Sequence, residues 1–441
     1  LAYFKTLEET MSTVVDIIAA GFLPSALEAM DKSTMDATQT PYPAGIEAML
    51  IVELDDNKQG IGADAQKVME ICQKNNAFNM AIAKNEEVRQ ALWQQRRRAA
   101  SALAKIAPSL ISLDSAVARS NLPQIITKIK EIFKKYALRG GIVFHAGDGN
   151  LHPNIAFDER NLFEVAQVKK AVKEIHLETI KLGGTLSGEH GIGVEKRAAM
   201  AQMFDNNTIA LFKKIKKAVD PYNVANPDKV LPIASTNENK FAQNAPAYLA
   251  PIITQIKEAA VAQKPLIISG LKTKFKTKEK TLDLSSLNQI LDIDKKNYTA
   301  TVQAATPLRH LEKELAANNM YLPISGAKGT VGGVFAAKTF NNLADYITGL
   351  DFILADGAFI SLGGKYIKNS AGYDLIRFLA GSQGGYAVIT ALTIRTFAKK
   401  QKPQKQNTFE FFKPNALEIK LKKVFDENNI LNPFIFRGEN D

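Results

Sequence analysis

The chain has 441 residues, of which 46% are hydrophobic and 23% charged, and this composition is typical of a globular protein with two to four domains. Its single cysteine, Cys72, excludes an internal disulfide framework and an iron–sulfur cluster bound by this chain alone, and favours a reducing, cytoplasmic compartment. The net charge of +11 is spread over predicted helices with few aromatics, which indicates a solvated surface or small anionic ligands rather than nucleic acid.

No apolar run approaches the ~18–20 residues of a transmembrane helix, and no secretory signal is evident. The chain begins at Leu1, directly in a strand-like stretch, and ends at Asp441 without an obvious stop. These two ends are typical of a fragment or a broken reading frame.

The first half of the chain alternates strand and helix patterns. Residues 1–80 predict a helix near Thr6–Ala20, a short strand or helix over Pro24–Asp31 and a strand over Ala48–Leu54. Residues 85–140 are basic and predicted to be helical. Two amphipathic helices follow, at 163–182 and at 206–219, the second ending at Asp220-Pro221.

A polar stretch, residues 234–247, is the predicted linker, and short strand patterns separated by glycines predominate after it. These patterns are Leu266–Ile268, Thr281–Leu284, Thr299–Ala304, Phe352–Ala355, Phe359–Leu362 and Ala387–Thr396. The run Lys399–Lys405 is typical of an exposed loop, one helix is predicted at Leu417–Phe425, and no internal repeat is evident.

These elements predict an α+β protein. We expect an antiparallel-sheet domain with helices on one side over residues 1–233, and a second α+β domain over 248–400. Residues 401–441 form a truncated C-terminal segment in this prediction.

Three of the five histidines lie in two short motifs, His145-Ala-Gly-Asp-Gly-Asn-Leu-His152 and Gly188-Glu189-His190-Gly191. Asp148-Gly149 predicts a two-residue hairpin turn, in which paired residue numbers sum to 297 and His145 lies opposite His152. Cβ atoms of opposed residues are about 5 Å apart, which suits two imidazoles that share one metal. Asn154 then points to the same face as His152.

Glu189 and His190 are adjacent and flanked by glycines, so both side chains can crowd around one ligand. Glu189 is a candidate carboxylate ligand of the metal and His190 a candidate general base, because a neutral imidazole accepts protons near pH 7. Taken singly, each motif also fits a structural histidine, a simple turn or a calcium-binding turn. Their combination favours the metal and base interpretation.

The two histidine motifs, together with Asp220–Lys229, resemble the C-terminal cap domain of FAD-linked oxidases of the vanillyl-alcohol-oxidase superfamily. Relatives in that family include glycolate oxidase flavoprotein subunits, D-lactate dehydrogenase and D-2-hydroxyglutarate dehydrogenase, and the resemblance covers about residues 1–232. It implies a divalent metal, zinc or manganese, with the ligands His145, His152 and Glu189.

The same resemblance implies that His190 is the catalytic base and that Asn154 contacts the substrate. It also implies that Arg96, in Trp93-Gln-Gln-Arg96, binds the substrate carboxylate, with Arg97 as the adjacent candidate. A guanidinium presents a planar fork that matches a carboxylate.

Glycine-containing motifs between residues 248 and 398 resemble the second, PCMH-type FAD-binding subunit of glycolate oxidase. They include Gly329-Thr-Val-Gly-Gly333, Gly363–Leu375 and Gly381-Ser-Gln-Gly384. The implied FAD contacts are Gly270, Gly329, Thr330, Gly332, Gly333, Lys368, Asn369, Gly372, Tyr373, Asp374, Gly381, Ser382, Gly384 and Ile389. Two departures predict weak flavin affinity: Leu271–Lys274 replaces a glycine-rich turn, and the segment after Gly333 is shorter than in the family.

Together the resemblances imply a cap domain fused to an FAD-binding domain. The implied reaction oxidises glycolate or D-lactate with hydride transfer to flavin N5. An iron–sulfur subunit and a complete flavoprotein subunit are the implied partners, and a partner would bring the cytoplasmic chain to the inner face of the membrane. Two alternatives stay open, a non-catalytic flavoprotein component that relays electrons or assists assembly, and a metal-binding structural module.

Overall fold

The computed structural model describes residues 1–55, 61–233, 244–270, 281–324, 328–340, 342–398, 407 and 410–436. The chain forms two compact units, and the first consists of Leu1–Gly191 together with the separate segment Tyr366–Ala371. The second consists of Ile192–Lys365 and Gly372–Asp441. In the part of the chain that is described, no helix is long and apolar enough to cross a membrane.

Several predictions fall outside the described residues: most of the linker, at 234–243, the turn Leu271–Lys274 and the loop Lys399–Lys405. The predicted domain boundaries at residues 233, 248 and 400 stay predictions.

The first unit is built on an antiparallel sheet, in which eight strands are described. The strands are β1 (Ala2–Phe4), β2 (Ala26–Asp31), β3 (Ala48–Glu53), β4 (Asn79–Met80), β5 (Ser109–Ser112), β6 (Ser115–Ala116), β7 (Arg139–His145) and β8 (Asn150–Phe157). Their order across the sheet is β4-β1-β3-β2-β7-β8-β5, and β6 pairs with β8. The hairpin β7–β8 therefore lies well inside the sheet.

The helices described in the first unit are α1 (Leu7–Ala19), α2 (Lys32–Thr38), α3 (Ile61–Lys74), α4 (Glu86–Leu103), α5 (Leu122–Lys135) and α6 (Leu162–Lys181). Four of these six, α1, α2, α4 and α6, begin after a residue whose side chain caps them. Thr6 and Glu9 form a capping box at α1, and Asn85 and Asn161 cap α4 and α6. The predicted antiparallel sheet with packed helices is confirmed. In addition, α2 and α4 share a buried core with Met30, Met49 and Val143 of the sheet.

Two local predictions for the first unit are wrong. Residues 85–140 are not helical throughout, because β5 and β6 lie between α4 and α5 and pair with β8. The serines in these short strands hide the hydrophobic alternation that marks a strand. The hairpin register also differs, and the paired residues sum to 295 rather than 297.

The second unit contains a five-stranded antiparallel sheet and a parallel strand pair in its described residues. Its strands are β9 (Ile267–Ser269), β10 (Thr281–Asp283), β11 (Ile290–Asp294), β12 (Thr299–Gln303), β13 (Ile347–Ile353), β14 (Phe359–Gly363) and β15 (Val388–Arg395). Its helices are α7 (Met200–Met203), α8 (Asn206–Val219), α9 (Ala250–Ala262), α10 (Leu308–Ala317), α11 (Val331–Ala336), α12 (Leu375–Leu379) and α13 (Ala416–Phe425). The larger sheet has the order β11-β12-β15-β13-β14.

The final segment is an integral part of the second unit. Ile430 and Leu431 are buried in one hydrophobic cluster with residues of α9, β10 and β15. Residues 216–227 and 422–433 adopt the same hydrogen-bonded turn, in which an aspartate carboxylate accepts from two backbone N–H groups that follow it.

Candidate metal centre

The hairpin β7–β8 brings two histidines to one face of the first unit. His145 pairs with Asn150 and His152 pairs with Val143, so the histidines are diagonal neighbours rather than directly opposed. The register error is two residues, and side chains alternate with a period of two, so both histidines stay on the predicted face. Their ring centroids lie 5.2 Å apart.

The turn that joins the strands is longer than predicted. The backbone N–H groups of Asp148 and Gly149 both donate to the carbonyl oxygen of His145, and only Gly149 has a positive φ, of 82°. A two-residue type I′ turn needs positive φ at both central positions. The chain instead uses a four-residue turn, in which the Asp148 carboxylate accepts from the N–H of Asn150.

Each hairpin histidine has its Nδ1 atom held by an oxygen that only accepts hydrogen bonds. Nδ1 of His145 lies 2.6 Å from the carboxylate of Glu28, and Nδ1 of His152 lies 3.1 Å from the carbonyl oxygen of Leu113. Both Nδ1 atoms therefore carry the proton, and in the neutral rings each Nε2 keeps a free lone pair. This is the arrangement that orients a metal-binding histidine.

The two Nε2 atoms face one carboxylate oxygen. Oε1 of Glu189 lies 3.2 Å from Nε2 of His152 and 3.6 Å from Nε2 of His145. Three acceptor atoms at these distances repel one another unless a cation or a proton lies among them. His190 stacks on His152 with ring centroids 5.1 Å apart, and its side chain is 49% exposed.

The loop that carries Glu189 and His190 is held by one buried carboxylate, Asp114. This carboxylate accepts hydrogen bonds from the backbone N–H groups of Gly188, Glu189 and His190 at 2.8 to 3.2 Å. It also accepts from the hydroxyl of Ser187 at 2.5 Å and from the amide of Asn150 at 2.8 Å. A side chain at Gly188 would approach the Asn150 amide to 2.4 Å, so only glycine fits there.

The Asp114 carboxylate lies close to the other candidate metal ligands. One ligand atom each of Asp114, His152, Glu189 and His190 lies within 4.8 Å of the others. Both Asp114 oxygens already accept several hydrogen bonds, however, and the side chain is fully buried. Asp114 therefore positions the loop, while His145, His152 and Glu189 keep acceptor atoms directed at each other.

Electrostatics keep the site ready to bind a cation. Burial lowers the pKa of the His152 imidazole below its ordinary value, so the ring is neutral near pH 7. Burial alone would raise the pKa of Glu189, but hydrogen bonding and attraction to Lys368 and the attraction of the histidines outweigh it and lower that pKa. Glu189 is therefore ionised.

A lysine from the segment Tyr366–Ala371 reaches this carboxylate. Nζ of Lys368 lies 2.8 Å from Oε2 of Glu189 and 3.2 Å from Oδ2 of Asp148. The rest of the segment is hydrogen-bonded to the same loop, since the Asn369 amide accepts from the Thr185 hydroxyl. Of the two residues of this segment predicted to contact FAD, Lys368 pairs with Glu189 of the histidine site and Asn369 is hydrogen-bonded to Thr185.

The two predicted substrate residues are already engaged by the protein. The Arg96 guanidinium binds the Glu28 carboxylate through Nε at 2.8 Å and Nη2 at 2.7 Å, and the same carboxylate holds His145. Asn154 is buried, and its amide donates to the carbonyl oxygen of His152 at 2.7 Å. Arg97 points elsewhere and donates to Gln90.

The predicted FAD residues of the second unit gather around the short helix α11. The hydroxyl of Thr330 caps α11 by accepting from the N–H of Gly333, and a Cβ at Gly270 would meet Thr330 at 3.7 Å. The backbone N–H of Gly381 donates to Phe335 within α11. Gly329 has a positive φ, and Ser382 and Ile389 are buried. Gly332 packs against Ala304, and Gly384 packs against Asn432.

Three further predicted positions lie beside α8 and α12 of the second unit. A Cβ at Gly372 would clash with Phe212 at 2.7 Å, and the Tyr373 ring packs against Phe212. The Asp374 side chain caps α12. These contacts account for the three residues by packing and capping.

Sequence reasoning missed Glu28 and Asp114, the two carboxylates that position the site. Glu28 lies in the apolar run Ala26–Met30, and such an isolated acid is a signal that could have found it, whereas Asp114 lies between Leu113 and Ser115 with no comparable signal. The partners of both are distant in sequence, so their roles emerge only from the fold.

Residues 1–230 match the family described as FAD linked oxidases, C-terminal domain, and residues 246–363 match the family described as FAD binding domain. The glycolate oxidase subunit GlcD of Bacillus subtilis is 37% identical over 234 residues, which are 52% of this chain and 50% of the relative. The Escherichia coli K12 subunit of the same name is 36% identical over 236 residues, 53% of this chain and 47% of the relative.

The probable mitochondrial D-lactate dehydrogenase of Danio rerio is 30% identical over 238 residues, 53% of this chain and 48% of the relative. The chain thus spans about half the length of the curated relatives it matches. The first of the two family matches extends over more than half of the 441 residues and includes the complete histidine and glutamate site. On these grounds the chain belongs to the FAD-linked oxidases.

Proposed function

We propose that this chain takes part in the FAD-dependent, metal-assisted oxidation of a small D-2-hydroxyacid, glycolate or D-lactate, to the 2-oxoacid. The observation that carries the proposal is the convergence of three acceptor atoms, Nε2 of His145, Nε2 of His152 and Oε1 of Glu189. A divalent cation among them would turn their repulsion into binding.

The donor set fits a divalent metal. Two imidazoles and one carboxylate are a common set for zinc at a catalytic site, where a further position is left for the substrate. The Nδ1 contacts to Glu28 and Leu113 fix the ring orientations without using the Nε2 atoms. When bound, the metal would polarise the 2-hydroxyl and carboxylate of the substrate.

His190 is the proposed base. Its imidazole is half exposed beside the ligand cluster, with Nε2 3.8 Å from Oε1 of Glu189. The ring therefore reaches a substrate that lies on the acceptor cluster and accepts its proton. The stacking of His190 on His152 and the Asp114 hydrogen bond to its backbone N–H hold it in place.

Two cations are available for the substrate carboxylate. Arg96 uses Nε and Nη2 for Glu28, and its other N–H groups are left for a ligand. Lys368 lies on the far side of Glu189 and carries a compact positive charge. Asn154, in this proposal, contacts the substrate through its amide oxygen.

FAD, when bound, would supply the acceptor for the hydride that leaves C2 of the hydroxyacid. The proposed contacts in the second unit are the small residues around α11, namely Gly270, Gly329, Thr330 and Gly333. Three of these four residues are glycines and the fourth is a threonine, so a cofactor can approach the backbone closely. An iron–sulfur subunit is the proposed electron acceptor, and a reducing cytoplasm is the proposed location.

One observation favours a second candidate, a non-catalytic flavoprotein component that assists electron relay or assembly. Lys368 forms ion pairs with both Glu189 and Asp148, so this chain supplies its own cation to the acceptor cluster. A resident ammonium would neutralise Glu189 without giving Lewis-acid chemistry.

Anaerobic flavin bleaching separates the two functions. The purified chain, reconstituted with FAD and with zinc or manganese, is mixed with glycolate or D-lactate, and the flavin absorbance is followed. Bleaching that requires metal and is lost in His190→Gln supports the enzyme. An unbleached spectrum from a chain that holds both FAD and metal supports the non-catalytic component.

A further inference from the structure

Helix α4 places two arginines on two strand glutamates of the first unit, and only one of these ion pairs reaches the candidate metal centre. Arg89 and Arg96 are separated by about two helical turns, so both project from the same side of the helix. Arg89 binds Glu53 at the end of β3, and Arg96 binds Glu28 in β2. The two pairs are therefore alike in construction.

Each glutamate also accepts a hydrogen bond from an aromatic ring N–H. In the first pair, Nε1 of Trp93 donates to the Glu53 carboxylate at 2.6 Å. In the second pair, Nδ1 of His145 lies 2.6 Å from Oε1 of Glu28. In both places an arginine holds a carboxylate that in turn holds a ring, but only the ring of His145 belongs to a proposed metal ligand.

The Glu28 carboxylate divides its two oxygens between its partners. Nε of Arg96 donates to Oε2 at 2.8 Å, and Nη2 lies 2.7 Å from the same oxygen, which leaves Oε1 to His145. Glu28 and His145 are directly opposed across β2 and β7. A glutamate side chain has several rotatable bonds, so this proximity alone does not orient its carboxylate. The contact with Arg96 does.

Apolar packing anchors α4 independently of Arg96. Ala99 and Leu103, farther along the helix, are fully buried against the face of the sheet that carries Glu28. The side chains of Arg96 and Glu28 are 17% and 11% exposed, less than half the values of the Arg89 pair. Because water screens a shielded ion pair less than an exposed one, Arg96 holds its carboxylate more firmly.

We propose that Arg96 is a positioning residue of the metal centre, which acts on His145 through Glu28 even when no substrate is bound. Arg96 orients Glu28, Glu28 keeps the proton of His145 on Nδ1, and Nε2 of His145 then presents its lone pair to the metal. This inference rests on the metal site of the proposed function. It gives Arg96 a second role beside the binding of a substrate carboxylate.

The direction of one effect distinguishes this role from the others that a cation can have here. A positive charge near a metal site repels the metal, so the loss of a bystander arginine raises metal affinity. The loss of an arginine that only binds substrate leaves the metal affinity of the substrate-free chain unchanged. The loss of a positioning arginine lowers that affinity, because Glu28 no longer holds the ring of His145 in its binding orientation.

Zinc affinity of the full, substrate-free chain, measured by competition with a chromophoric chelator, tests the proposal. Arg96→Met is expected to weaken zinc binding by about tenfold. Arg96→Lys keeps the charge but only one donor for Oε2, and it is expected to weaken binding by about threefold. Arg89→Met is the matched control, because it removes the same kind of ion pair from the same helix, and it should bind zinc as the wild type does.

A double variant separates positioning from folding. Arg96→Met leaves a charged Glu28 without its cation, whereas Glu28→Gln combined with Arg96→Met removes both charges and should fold as the wild type does. Glu28→Gln alone is expected to weaken zinc binding by about tenfold. The double variant should lose no more than that, because the arginine acts only through Glu28.

Nuclear magnetic resonance of the metal-free chain, labelled with ¹⁵N-histidine, gives a readout that a merely structural role would not move. His145 is expected to carry its proton on Nδ1 in the wild type and to populate the Nε2 tautomer in Arg96→Met. The exposed His310 of α10 is the internal control and should keep its wild-type signals.

Unchanged or tighter zinc binding in Arg96→Met overturns the proposal, as does an unchanged tautomer of His145. If Arg96→Met does not fold, wild-type zinc affinity in Arg96→Lys overturns it instead. A double variant that loses the product of the two single losses would show that the arginine does not act through Glu28. These outcomes leave the metal centre intact, whereas a wild-type chain that binds no zinc overturns the metal centre and this inference together.

Discussion

The two units use their predicted functional residues in different ways. In the first unit, His145, His152 and Glu189 direct acceptor atoms at one another, an arrangement that is repulsive unless a cation or a proton lies among them. In the second unit, several predicted cofactor glycines lie against the chain's own atoms, and a Cβ at Gly332 or at Gly384 would come within 2.7 Å or 2.9 Å of a neighbour. Converging acceptors thus indicate a ligand, whereas a glycine motif is equally explained by close packing.

Removing a proposed ligand gives the largest expected effect. His152→Ala and Glu189→Gln are each expected to lower zinc affinity by more than about 100-fold, because the first deletes a ligand atom and the second removes the negative charge of the carboxylate ligand. Zinc content after dialysis, measured by inductively coupled plasma mass spectrometry, checks this. His310→Ala, an exposed histidine on α10, is the control and should keep its metal. If both site variants retained zinc, the converging acceptor atoms of the first unit would not be a metal site.

Asp114→Asn is expected to destabilise the first unit by about 3 kcal/mol, since an amide cannot accept all the hydrogen bonds that the carboxylate accepts. Zinc affinity should fall by about 10- to 100-fold, because Glu189 and His190 lose their support. Urea unfolding and calorimetric titration measure the two effects. Asp158→Asn, which removes only a surface ion pair with Arg160, should change the stability by less than about 1 kcal/mol. Unaltered zinc affinity in Asp114→Asn would show that the loop needs no such support.

Alanine at two glycines tests the packing explanation in the second unit. Gly332→Ala is expected to cost about 1–3 kcal/mol, because its Cβ would lie 2.7 Å from that of Ala304. Gly270→Ala meets Thr330 only at 3.7 Å and should leave stability nearly unchanged while weakening FAD binding. Thermal unfolding and flavin fluorescence titration distinguish the two outcomes. A stable Gly332→Ala chain with weakened FAD binding would instead make that glycine a cofactor contact.

Lys368→Met gives the smallest expected effect, and the direction of the change in zinc affinity shows which role the lysine has. Loss of the ammonium that competes for Glu189 should raise zinc affinity about fivefold, a modest change because both side chains are partly exposed. Lys365→Met, whose ammonium pairs with Asp292 and Asp294, is the matched control. Zinc affinity that falls in Lys368→Met would mean that the lysine supports the metal site rather than competing with it.

Much of the first unit could be predicted from the sequence because its signals are local. The capping residue Thr6 and the apolar spacing after it predict α1, and the side-chain period of two kept His145 and His152 on one face despite the wrong register. The register itself depends on the conformation of the Asp148-Gly149 turn, and two different turns suit that dipeptide.

The rest depends on contacts between distant residues. Asp114 is hydrogen-bonded to the loop at residues 187–190, and Glu28 binds both Arg96 and His145. Because these partners are distant in sequence, no short motif predicts either role. The similar turns at residues 216–227 and 422–433 share only six of twelve residues, although the bonds to Asp220 and Asp426 and the positive φ values of the asparagines correspond.

The central claim is that His145, His152 and Glu189 bind one divalent metal ion. X-ray absorption at the zinc edge of the zinc-loaded chain tests it most directly. The expected spectrum contains two imidazoles together with oxygen ligands at about 2.0–2.1 Å, and one imidazole is lost in His152→Ala. A shell of oxygen alone, or a spectrum that His152→Ala leaves unchanged, would contradict the claim.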